Sequence, residues 1–118
     1  MANFNLDDYT PVEDRLKKYL VKFEDARVIT KVVSNTDTRI IIKAALYKNV
    51  EELSKNLPHA TGIAEETRGE GFVNKTSHVE NCETSAIGRA LANAGYSGNK
   101  GGSRASREEM EKVQRLQD

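Results

Sequence analysis

Tryptophan is absent from the 118 residues, cysteine occurs once, proline twice, and no apolar run approaches the roughly 18 residues of a membrane span. Each shortage excludes something. A lone Cys82 cannot close an internal disulfide, which fits a reducing compartment. The opening "MANFNLDDYTPVEDR" lacks the basic, apolar, small-residue order of a secretory signal, so a soluble cytoplasmic chain without a membrane partner is expected. Aromatics make up 6% and apolar residues 37%, which predicts one thin core that oligomerisation would help to complete.

Formal net charge is zero, but the charges are segregated. Between residues 27 and 48, Arg27, Lys31, Arg39, Lys43 and Lys48 meet only Asp37. Residues 49 to 85 carry seven Glu against Lys55, Arg68 and Lys75, and residues 96 to 107 carry Lys100, Arg104 and Arg107 with no acid. Such blocks suit either an anionic ligand or contacts between neighbouring subunits.

Residues 1 to 9 show no periodicity and read as a loose arm. Thr10 as N-cap, Pro11 at the first helical position and Glu13 start a helix, with Val12, Leu16, Tyr19, Leu20 and Phe23 on its apolar stripe. "ARVITKVVSNTDTRIIIKAALY" predicts a β-hairpin turning near Thr36, with Val33 opposite Arg39, Lys31 opposite Ile41 and Ile29 opposite Lys43. Alternation then puts Val28, Thr30, Val32, Ile40, Ile42, Ala44 and Leu46 on one face and Arg27, Lys31, Arg39 and Lys43 on the other. "KNVEELSKNLPH" reads as a short helical turn, and "ATGIAEETRGEGF" as a third strand whose Ala60, Gly62 and Ala64 let a helix approach closely.

Ser77 with Glu80 forms an S-x-x-E capping box for a helix over 77–94, and Gly95 can take the left-handed conformation after it. The Gly-rich, basic "GYSGNKGGSRAS" follows, and Ser106 with Glu109 caps a last helix. The expectation is an α+β domain over 10–95 with a three-stranded antiparallel sheet, a β-β-β-α core, an N-terminal and a C-terminal helix, and self-association. Residues 96–118 form a basic loop and helix beyond it.

The chain carries little that points to an enzyme. "HVENCE" has the H-x-E half of a zinc deaminase signature without its P-C-x-x-C, and Gly95, Gly98, Gly101 and Gly102 match neither nucleotide-binding loop. Glu80 and Glu83, with Glu65 or Glu66, can be drawn into a magnesium-dependent nuclease site, although their spacing does not demand one. No cofactor is implied. The basic hairpin face is the strongest lead, since a strip of cations neutralises phosphates without reading bases. Tyr47 and Tyr96 could stack on bases or belong to the core.

"ENCETSAIGRALANAGYSG", preceded by "TGIAEE", resembles the helix of small phage recombination proteins carrying E-T-x-A-I-G-R-A-L-A, and more remotely the annealing domain of the Rad-type recombination mediators. The resemblance implies a DNA-binding protein, not an enzyme, that anneals complementary single-stranded DNA without ATP in phage homologous recombination and repair. It implies a homo-oligomeric ring or filament, and recombination would require a phage exonuclease or a host single-strand-binding protein as partner. It places a DNA-contacting arginine at Arg89 and another basic contact near Arg15. Gly88 and Ala92 stand where remoter members have basic residues, so Arg27, Lys31, Arg39 and Lys43 are expected to supply that charge, with Lys75, Lys100 and Arg104 as outer contacts. The rival expectations are a passive single-stranded-DNA-binding protein, the nuclease, and an adaptor acting through protein contacts alone.

Overall fold

The computed structural model describes residues 5–68, 71–97 and 106–117, with the backbone alone at 71–76 and 117. Helix α1 (Val12–Lys22) begins one residue later than its sequence signals suggest. Pro11, not Thr10, is its N-cap, and Pro11 provides no side-chain bond. The cap comes from far along the chain: the Val12 N–H donates to both carboxylate oxygens of Glu108, at 3.1 and 3.2 Å. The buried face also differs. Val12 and Tyr19 are buried as expected, but Leu20 is 39% exposed and Arg15 is buried in its place. Arg15 tolerates this because its guanidinium donates to carbonyls near the end of the long helix, where the helix dipole is negative.

Strands β1 (Arg27–Asn35) and β2 (Arg39–Tyr47) form the hairpin, and β3 (Ala60–Thr67) joins β2 to give an antiparallel sheet in the order β1-β2-β3. The register is two residues away from the expected one: Lys31 faces Lys43, and Ile29 faces Ala45. Two local features cause the shift. The turn lies beyond Thr36, whose Oγ1 accepts from the N–H groups of Thr38 and Arg39, and a bulge between Val32 and Ser34 takes Val33 out of the pairing. A two-residue slip preserves the faces, so Ile40, Ile42, Ala44 and Leu46 are buried while Arg27, Lys31, Arg39 and Lys43 are exposed.

Between β2 and β3, Asn49 caps the short helix α2 (Val50–Ser54) by accepting from the Glu52 N–H at 2.8 Å. The third strand ends at Thr67, before the glycines, and helix α3 (Gly71–Asn93) follows. Ser77 does open a helical stretch as expected, its own backbone being non-helical at φ −139° and ψ 28°, but it forms a kink because helical backbone also precedes it. Past the kink, Cys82, Ala86, Ala90 and Leu91 lie on the inner face of the sheet. Gly62 allows the approach: a Cβ there would collide with the backbone of Ala86, Arg89 and Ala90. Helix α3 closes as expected with Gly95 at φ 95° and Tyr96 N–H bonded to the Leu91 carbonyl.

Helix α4 (Arg107–Gln117) carries the expected capping box, with Glu109 N–H to Ser106 Oγ at 3.0 Å and Ser106 N–H to the Glu109 carboxylate at 3.4 Å. Arg107 donates to the Leu6 carbonyl, so the chain just before α1 is tied to α4. No described helix is long and apolar enough to cross a membrane.

Candidate functional site

Two groups of cations stand out, and they differ in what surrounds them. The first is on the outer face of the sheet, where Arg27, Lys31, Arg39 and Lys43 are all exposed beside Ile29 and Ile63. Arg39 contacts Glu65 at 3.6 Å, and Arg27 turns back onto the carbonyls of Asp25 and Ala26. Lys31 and Lys43 face each other across the hairpin, and among the described residues neither has an ion-pair partner. Like charges directly opposite on a sheet repel, and an anion between them removes the penalty.

The second group is internal. Arg15 is 1% exposed, its Nε donating to the Tyr96 carbonyl at 2.6 Å and one terminal nitrogen to the Gly88 carbonyl at 2.8 Å, while Nη1 has no partner. Burial pushes its pKa below the usual arginine value, partly offset by Glu108 and Glu109. Arg89, partly exposed, pairs with Glu109 at 3.0 Å. Burial also raises the Glu108 carboxyl above its ordinary value. Alongside, Lys112 of α4 reaches the buried Glu66 at 3.1 Å.

Arg15, expected to touch DNA, is therefore enclosed where it stands, two of its nitrogens donating to the carbonyls of Gly88 in α3 and of Tyr96 just beyond it. Lys75 has an undescribed side chain, and Lys100 and Arg104 lie outside the described residues. The sequence reading missed Glu108 and Glu109. The Ser106–Glu109 capping box locates the start of α4, but nothing in sequence says that this end docks on α1 and α3.

The remaining chemical candidates are structural in placement. Tyr47 is buried, and Tyr96 meets Tyr19 edge-on at 5.4 Å. Tyr19 also bonds His59 at 3.0 Å, and burial pushes its hydroxyl up to about 12. Cys82 is fully buried, its thiol pKa raised by burial, with Sγ near the carbonyls of Ala64 and Ile40. Glu83 accepts from Thr30 at 2.8 Å, and Glu80 is exposed. Among the described residues no three His, Cys, Asp or Glu side chains are grouped to hold a metal ion.

A family model described as "Slr1353 N-terminal dsRNA-binding domain-like" matches residues 15–94, from the first helix to the end of α3. The chain belongs to that family. This corrects the likeness to phage annealing proteins and Rad-type mediators: the short α3 motif suggested them, whereas the family match runs from within α1 through all three strands to the end of α3. No curated protein and no solved structure matches the chain. The matched residues include the basic sheet face, Arg15 and Arg89, and they end before α4.

Proposed function

We propose that the chain is a nucleic-acid-binding module that holds the phosphates of duplex RNA against the outer face of its sheet. The carrying observation is the Lys31–Lys43 pair, two cations opposed across β1 and β2, with Arg27 and Arg39 on the same face. That arrangement is unfavourable alone and favourable beside a polyanion, which exchanges repulsion for phosphate neutralisation and counterion release. The family description, which names double-stranded RNA, supports the choice of ligand.

The side chains on the face support a duplex over a single strand. Single-strand binders present aromatic rings on which bases stack, whereas recognition of an RNA duplex relies on shape, 2′-hydroxyls and phosphates. Tyr47, the aromatic residue whose strand position belongs to the outer face, is buried against the α2 segment through Asn56 at 3.4 Å. Among the described residues, no exposed aromatic side chain remains on that face.

The test is a titration of a labelled RNA duplex of about 20 base pairs, slightly longer than the roughly 16 a duplex-binding domain spans, against its single strand at several salt concentrations. Tighter binding of the duplex, with a salt slope that shallows by about one unit for each of Lys31→Ala and Lys43→Ala, is expected. Binding that ignores both substitutions would refute the proposed face.

A further inference from the structure

Helix α4 lies outside the family-matched residues, yet it places two carboxylates among the two arginines between α1 and α3. Glu108 caps the α1 N-terminus and Glu109 holds Arg89. A helix N-terminus favours an anion, and here one is already seated.

The second observation is Arg15. Its Nη1 is buried and unpartnered, which is costly for a charged donor. It points to the junction of the two helix starts: the position a Cβ on Gly88 would take lies 3.6 Å from Nη1, 2.9 Å from Val12 Cγ2 and 3.4 Å from Ser106 Cβ. An unsatisfied arginine nitrogen thus lies beside the start of α1, where α4 closes over it and only partly satisfies it, and Arg89 is near enough to act on the Arg15 charge. A phosphate has more acceptor oxygens than a carboxylate and suits a fork of arginine donors.

We infer that the α1 N-terminus, Arg15 and Arg89 form a phosphate site which Glu108 and Glu109 of α4 occupy in cis, and that a nucleic-acid phosphate competes with α4 for it. The inference rests on the nucleic-acid reading for its natural ligand, but the site can be probed with inorganic phosphate alone. Competition makes α4 a built-in reduction of affinity: the duplex gains this contact only in molecules whose α4 has left. The sheet face stays open throughout, so α4 tunes binding without abolishing it.

The test compares the full chain with E108A/E109A, which keeps helix-forming residues in α4 while removing both carboxylates, and with E24A/E51A, which removes the same charge at exposed positions away from α4. Duplex affinity is expected to rise roughly tenfold in the first and less than about twofold in the second. In E108A/E109A the Val12 amide resonance should move saturably with added phosphate and not with sodium chloride of equal ionic strength. In the unaltered chain, phosphate should speed hydrogen exchange at Met110, whose amide is bonded within α4, a readout that stands even if the variant does not fold. Equal gains in both double variants, or amides indifferent to phosphate, overturn the inference. A saturable phosphate response without duplex binding leaves the site standing and removes the nucleic-acid reading. Duplex binding that depends on Lys31 and Lys43 but not on Glu108 and Glu109 does the reverse.

Discussion

Lys31 on β1 stands directly across from Lys43 on β2, on the exposed face of the sheet. Without ligand the two ammonium groups repel each other, so either Lys→Ala substitution should raise stability slightly, by about a few tenths of a kcal/mol, and less in high salt. Urea unfolding at two salt concentrations measures this. A loss of stability instead would mean that the lysine stems contribute packing that outweighs the repulsion.

Gly62→Ala attacks the contact that brings α3 onto the sheet. The new methyl group meets backbone atoms of Ala86, Arg89 and Ala90, which cannot rotate away, so a loss of about 3 kcal/mol or more is expected from overpacking. Denaturant titration reads the loss. The outer-face lysines should keep their places on whatever fraction remains folded, since the collision is on the other side of β3.

The faces of the sheet were legible in the sequence because burial follows a period of two, and a two-residue error in register leaves that period unchanged. The bulge at Val33 and the turn past Thr36 were not, since both depend on local hydrogen bonds that several turn placements could satisfy. Gly62 and Gly95 announced their roles through residue type alone. Arg15 misled because a charged residue beside an apolar stripe normally faces water, whereas here carbonyls of Gly88 and Tyr96, 73 and 81 residues away, receive it. Family membership was misjudged from α3 because ten residues of small-sided helix say less than the order of elements across residues 15–94.

Glu108 supplies a pH dependence. Burial raises its pKa in the folded chain, so its contribution to stability is fully present below the ordinary carboxyl value of about 4.3 and is lost as pH rises through the raised value. Glu108→Gln removes that dependence while an amide oxygen can still accept from the Val12 N–H. Unfolding at pH 4, 5.5 and 7, chosen as roughly spanning the carboxyl range, should show the variant at least as stable as the native chain at the highest pH. A native chain that instead gains from ionising Glu108 would contradict this sign.

Cys82 should resist thiol reagents in the folded protein. Its sulfur is fully buried against the sheet and its pKa is raised, so little thiolate is available or reachable. One equivalent is expected to react promptly in denaturant and only slowly without it. Prompt reaction in native buffer would show that the α3–sheet contact opens readily.

The central claim is that the basic sheet face holds an RNA duplex, and fluorescence anisotropy of a labelled duplex with the native chain and with K31E/K43E tests it most directly. The account predicts salt-sensitive binding by the native chain, weaker binding of the matching single strand, and an affinity loss of at least about tenfold in the variant. Equal affinity for native chain and variant, or no binding by the native chain in dilute buffer, would contradict it.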